Sequence, residues 1–272
     1  MVLETVEPSP VRTHVGGLIR HCRQRAGMTQ KQLAHEAHVS ESLEGAYERG
    51  ERIPNAGFLL DADDLTTAGG LLATSVPLLE QESNRAQYLE WRLLEAEALS
   101  LSGYVAAVLP GLLQSPDYIR ALYCCRVPAF SDEEIERMLR ERLGRHSVLN
   151  RKRPPVVSFV VEQAALERPL GGNSVLKGAL LYVAQVARSM RHLTVQVMPT
   201  RVKMHAGLVG SVQLLTSPDG RKSAYFDGDG RSKLLTRPDE AIKHAERYGA
   251  LRAQALSPEE SLDLMERLAG EL

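Results

Sequence analysis

His205 is the residue whose surroundings come nearest to catalytic chemistry. It stands in the segment His205-Ala206-Gly207, where an imidazole could act as a general base. No partner lies beside it in sequence, so a partner must come from a remote segment. Asp227-Gly228-Asp229-Gly230 offers oxygen ligands, but too few for a calcium loop, and reads as a hairpin turn. Gly171-Gly172 is not followed by Lys-Ser or Lys-Thr, so it is no phosphate loop. The three cysteines, Cys22, Cys124 and Cys125, are odd in number and two are adjacent, which fits neither a disulfide framework nor a zinc knuckle. Cys22 falls in a helical pattern and reads as a buried free thiol. The expectation is a protein that is not an enzyme, with no catalytic residues, no cofactor and no metal site.

A different chemistry, the reading of base edges and phosphates, needs short helices held at a fixed angle. Gly16 to Ala26 reads as a helix from the spacing of Leu18, Ile19 and Cys22, and Gly27 stops it. Thr29 caps a second helix, Gln30 to Ala37, with Leu33 and Ala34 inward; Ser40 caps a third. Arg49 to Pro54 marks its end, and a fourth follows around Ala56 to Leu65. Two short helices joined by a tight turn make a helix-turn-helix arrangement. The segment GMTQKQLAHEAHVSESLEGAYERGERIP resembles the Xre/lambda-repressor type of DNA-binding domain. The likeness rests on Thr29, Gln30, Leu33, Ala34, Val39, Ser40, Glu48, Arg49, Gly50 and Pro54 occurring together and in order.

That resemblance implies that Gln30 lies near a phosphate or base edge and that Glu41, Ser42, Gly45 and Ala46 occupy the exposed face of the recognition helix. The expected DNA-binding set is Thr29, Gln30, Ser40, Glu41, Ser42, Gly45, Ala46, Arg49 and Arg52. The Ser42 hydroxyl can bond a base edge, and Glu41 can accept from a cytosine amino group. Arg49 and Arg52 suit phosphates or structural ion pairs, and Glu48 suits a structural role. Glu44 departs from the family pattern, which has an apolar residue there.

Charge adds a constraint. The 272 residues carry a formal charge of −1, so the bulk electrostatics do not ask for nucleic acid. Residues 1–79 hold seven basic and ten acidic residues, and Glu41 and Glu44 are expected to repel phosphates. Tight binding then calls for a homodimer on a palindromic double-stranded operator, with the two heads about 34 Å apart. The start MVLETVEPSP has no basic or apolar signal region, and the apolar stretch Val105 to Leu113 is too short for a bilayer. A cytoplasmic protein without membrane contact is expected.

Thr66-Thr67-Ala68-Gly69-Gly70 breaks the pattern, and Leu71 to Leu79 closes the head. The domains read as 1–79, an all-α helix-turn-helix bundle, and 80–272, an α+β domain with a small mixed sheet. A long helix is expected from Glu80 to about Leu101, then a turn at Pro110-Gly111 and helices opened by Ser115-Pro116 and Ser131. The basic knot Arg151-Lys152-Arg153 follows. Pro155–Val161, Thr194–Met198, Ser211–Leu215, Ser223–Phe226 and Lys233–Leu235 read as strands, with a helix at Val175–Met190 and two more opened by Pro238 and Ser257.

The segments LLEAEALSLSGYVAAVLPGLLQSPDYIRA, VVEQAALERPLGG, LTVQVMPTRVKMHAGLVGSVQLL and LRAQALSPEES resemble the C-terminal domain of WhiJ-like actinobacterial regulators, which are often described as antitoxin-like. The resemblance implies regulation, dimerisation or the binding of a small protein encoded nearby. Tyr104, Leu109, Leu112, Met204 and His205 form the candidate ligand- or partner-binding set; the apolar members equally suit a core. The sequence reads best as a sequence-specific, dimeric transcriptional regulator. Its rivals are an antitoxin-like adaptor and a small-molecule-responsive repressor.

Overall fold

The Ser9 hydroxyl accepts a hydrogen bond from the Arg12 backbone N–H, and Pro10 opens the first helix, α1 (Pro10–Arg25). In this computed structural model, residues 9–228 and 231–272 are described. The segment 1–8 read for a signal, and Asp229 and Gly230 of the expected turn, lie outside the described residues. The chain divides into two compact units, the first made of residues 1–89 with 228–232 and the second of 90–227 with 233–272.

In that first unit, α1 is followed by α2 (Gln30–Glu36), α3 (Glu41–Glu48) and α4 (Ala56–Leu65). Val15, Gly16, Ile19, Cys22 and Arg23 share the buried face of α1. A Cβ on Gly16 would lie 2.5 Å from the carbonyl oxygens of both Tyr47 and Glu48, so α1 and α3 touch backbone to backbone. Val15, Ile19, Leu33, Tyr47, Phe58 and Leu59 make the core. After α4, the Asp63 carboxylate takes the backbone N–H groups of Gly70, Leu72 and Ala73, which sets the turn around the paired glycines.

Helix α5 (Val76–Glu97) carries the chain past Leu89, so the expected domain boundary at 79/80 falls near its start. It ends four residues before the expected Leu101. The Arg151 guanidinium holds that end by donating to the carbonyls of Ala96 and Ala98. Ser100 and Leu101, expected at the end of the long helix, and residues 102–105, for which no element was expected, form a strand, β1 (Ser100–Val105). Its neighbours on both sides impose that conformation: β2 (Val156–Glu162) runs parallel to it and β4 (Val212–Thr216) antiparallel. A Cβ on Gly103 would sit 2.9 Å from the Val212 carbonyl oxygen, so the close strand approach needs glycine there.

With β3 (Leu193–Met198), β5 (Lys222–Gly228) and β6 (Arg231–Leu235), the sheet has the order β3-β2-β1-β4-β5-β6 and is mixed, as expected. The β2–β3 pair is parallel and the β4–β5 pair antiparallel. Strand alternation sends Val157, Phe159, Val195, Leu215 and Tyr225 to one face. There they meet α9 (Asn173–Ser189), α11 (Pro258–Glu271) and Trp91, which stacks on Tyr225 with ring centroids 5.1 Å apart. The other face carries Tyr104, Val160, Val212, Leu214 and Ala224 under α10 (Pro238–Gln254), with Tyr248 and Leu251 facing in. Helices α6 (Pro116–Cys124) and α7 (Asp132–Gly144) pack on each other through Ile119, Tyr123, Ile135 and Leu139, and α8 (Gln163–Glu167) follows β2. Among the described residues no helix is long and apolar enough to cross a membrane.

Candidate nucleic-acid interface and a buried polar cluster

The turn between α2 and α3 is built from caps. Thr29 and Gln32 form a reciprocal capping box on α2: the Thr29 N–H donates to Gln32 Oε1 at 2.8 Å, and the Gln32 N–H to Thr29 Oγ1 at 3.2 Å. His38 holds the turn with φ of 55°, a left-handed conformation for a residue with a side chain. Ser40 then caps α3 by accepting from the Leu43 N–H, and its hydroxyl lies 3.1 Å from that of Ser42.

Beneath this surface lies an acidic pair that the sequence reading divided wrongly between surface and interior. Glu44 is fully buried, so it does not face phosphates. It occupies the family's apolar position and keeps an inward direction despite its carboxyl. Burial, then a hydrogen bond to Glu48 and that group's charge, push it up to about 8. Neither of its oxygens accepts a hydrogen bond from a donor group. Glu48 has the structural role expected of it: Arg23 donates to its two oxygens at 2.6 and 3.1 Å, and Gln30 Nε2 donates at 2.7 Å. Burial alone would raise Glu48, but the bonds from Arg23 and Gln30 hold it below the usual carboxylate range. The helical pattern puts Arg23 with Arg20 and Arg25 on the face opposite Leu18, Ile19 and Cys22, but Arg23 is buried, drawn inward by Glu48; its place four residues beyond Ile19 was a usable signal.

The expected interface residues are placed unevenly. Thr29, Ser40, Glu41, Ser42, Arg49 and Arg52 are exposed, and Gln30 and Ala46 are half-buried. Gly45, expected on the exposed face, is buried because Arg49 folds over it; a Cβ there would lie 3.0 Å from Arg49 Nη1 and 3.8 Å from Gln30 Oε1. Gln30, Gly45 and Arg49 thus form one group, and Ser40 and Ser42 another. Arg49 pairs with Glu51, at 2.8 and 2.9 Å, rather than with Glu48.

In the second unit, Tyr104 and His205 meet at a residue the sequence reading missed. The Tyr104 hydroxyl donates to Glu162, and His205 Nε2 lies 3.3 Å from the same carboxylate oxygen. The Gly207 N–H donates to His205 Nδ1 at 3.2 Å, which assigns the ring proton to Nε2. Burial, then the Glu162 carboxylate, push the Tyr104 phenol up. Arg247 Nε donates to the Ala206 carbonyl at 2.8 Å and its Nη2 to that of Gly210, fixing the loop that carries the histidine. Gly207 is indispensable, because a Cβ there would sit 2.3 Å from the Tyr104 ring. Nothing local marks Glu162, since its two partners come from β1 and from a loop more than forty residues on. Leu109 and Leu112 belong to the core cluster on the opposite face of the sheet, and Met204 is exposed. The five candidates therefore do not form one pocket lining.

No curated protein and no solved structure matches the chain. Residues 14–74 match the family described as a helix-turn-helix domain, which supports a DNA-binding regulatory role in general. Residues 89–267, more than half of the chain, match the family described as a domain of unknown function (DUF5753), and the chain belongs to that family.

Proposed function

We propose that the chain is a sequence-specific transcriptional regulator that binds a palindromic double-stranded operator as a homodimer, with α3 in the major groove. One observation carries this reading. The exposed Glu41 and Ser42 open a capped recognition helix, while Gln30 and Arg49 meet beside the buried Gly45. Glu44 adds little repulsion, because it is inward and mostly protonated at neutral pH. No covalent chemistry is assigned: both ring nitrogens of His205 are engaged, which supports a positioning role rather than that of a base. The second unit, by its resemblance to WhiJ-like regulators, serves dimerisation or regulation.

Selection from random DNA with the full chain tests the proposal. A palindrome should emerge, with affinity that falls steeply with salt. Replacing Gln30 and Ser42 together by alanine should weaken binding about tenfold or more. No enriched palindrome, or an unchanged affinity in the double variant, overturns the assignment of the interface. A monomer, both free at micromolar concentration and on the operator, overturns the dimer.

A second reading, an antitoxin-like adaptor for a small protein partner, draws on one feature. Met204, Leu208 and Val209 are 84%, 71% and 81% exposed on the loop that His205 and Arg247 anchor. Stoichiometric co-purification of a small protein, lost on replacing these three by serine, would favour it.

A further inference from the structure

The α10 face of the sheet has two polar ends. One is the Tyr104–Glu162–His205 cluster. The other lies where β1 begins and β4 ends, with Ser100 opposite Thr216, and there a cavity of about 320 Å³ opens. That size suits a small organic molecule. Val156, Leu214 and Ala245 give it an apolar wall, and none of its lining residues is acidic.

Its polar groups divide into satisfied and available. The Tyr248 hydroxyl donates to the Ser158 carbonyl at 2.7 Å and lies 2.8 Å from the Ser158 hydroxyl, and Ser100 donates to Thr216 Oγ1 at 2.9 Å. Burial pushes the Tyr248 phenol up to about 12, so it remains a donor. Two cations, Lys222 and Arg252, line the same cavity. Among the described residues no carboxylate pairs with either. Arg252 is steadied only at Nε, which lies 3.4 Å from Gln196 Oε1, while Gln196 itself is held by the Leu256 carbonyl at 2.8 Å. The planar guanidinium can then offer its remaining donors to an anion.

Gly249 supplies an independent observation. It lies within α10 at the cavity, and a Cβ added there meets nothing within 4 Å. Glycine weakens a helix interior, and neither the helix backbone nor its packing requires one here. Its missing side chain leaves the cavity open.

We propose that this cavity binds a small organic anion, a carboxylate or phosphate ester with a compact apolar body. Lys222 and Arg252 take the charged head, and Val156, Leu214 and Ala245 receive the body. The site stands apart from the DNA-binding reading and is tested without DNA.

Calorimetric titration of the full chain with benzoate, phenyl phosphate and neutral benzyl alcohol provides the test. Benzoate or phenyl phosphate should bind saturably, one per chain, and about tenfold or more tighter than the alcohol. Whichever anion binds better identifies the head group. Alanine at both Lys222 and Arg252, two exposed positions, should weaken binding about tenfold or more. Gly249→Leu should abolish binding while leaving the unfolding temperature unchanged or raised. The proposal is overturned if neither anion saturates below about 10 mM, if the alcohol binds equally, or if the cation-deleted variant binds as tightly as wild type.

Discussion

In the first unit the buried Glu44 accepts no hydrogen bond at either oxygen, whereas in the second the partly buried Glu162 takes two donors, the Tyr104 hydroxyl and the His205 ring. Each carboxyl lies in a polar cluster, and the difference is in how the neighbours are shared. Arg23 is spent on Glu48, at 2.6 Å, and stands 3.6 Å from Glu44. Glu44 is thus left beside a charged acid and answers burial by holding its proton. The donors of Glu162 come from rigid supports, a central strand and a loop tied by Arg247. A buried carboxyl with a full set of donors fixes a geometry; one without them makes its surroundings sensitive to pH.

Arg23→Ala should break this contrast most severely. It would strip Glu48 of its cation and leave two neighbouring buried acids, at a cost of about 3–5 kcal/mol. Denaturant unfolding followed by helical signal checks this, and a loss below about 1 kcal/mol would show the pair already hydrated. In the second unit, Gly207→Ala should cost about 1–3 kcal/mol, because its Cβ must displace the Tyr104 ring from Glu162. A shift in tyrosine fluorescence or near-ultraviolet dichroism should accompany that loss, and an unaltered spectrum with full stability would refute the close approach.

The smallest effect concerns pH. Glu44 has a folded value raised to about 8 from the usual 4.5. Its contribution is therefore complete below about pH 4.5 and is lost as pH rises through about 8. Glu48, held low, acts in the opposite sense: its contribution is present above the usual carboxylate value and is lost as pH falls through its depressed one. The first unit should be most stable in mildly acid solution. Glu44→Gln should remove the alkaline loss, leaving the variant more stable than wild type at pH 9 by on the order of 1 kcal/mol, while the acid limb governed by Glu48 persists. Parallel unfolding curves at pH 6 and pH 9 decide it; identical pH profiles for the two proteins would mean that Glu44 is solvated.

Local rules carried much of the fold. Thr29, Ser40, Ser131 and Ser257 are side-chain caps where a hydroxyl before an apolar-periodic run predicts one, because the cap bond spans only three residues. Strands β2 to β6 showed through in the same way, from alternation bounded by turns. β1 did not, because Ser-Leu-Ser-Gly-Tyr-Val has weak strand preference and is held by ladders to segments more than fifty residues away on each side. The helix-turn-helix arrangement that carries Gln30 and Ser42 was legible through the order of a short motif. The burial of Glu44 was signalled only by its place at the family's apolar position, and the residue type pointed the other way, since a glutamate on a helix is normally solvated.

The sequence by itself determined which hydroxyls cap helices, that an all-α unit precedes an α+β one, and that α2 and α3 form a helix-turn-helix pair, but not every helix bound: α1 begins at Pro10, six residues before the expected Gly16, and α5 at Val76 rather than Glu80. Those properties depend on neighbours within a turn or two of chain. Tertiary structure alone decided that Tyr104, Glu162 and His205 share one carboxylate, that Arg23 serves Glu48 rather than Glu44, and that Lys222 and Arg252 line one cavity. Each of these joins groups from separate elements, and their energies depend on distance, burial and competition for donors, none of which chain order specifies.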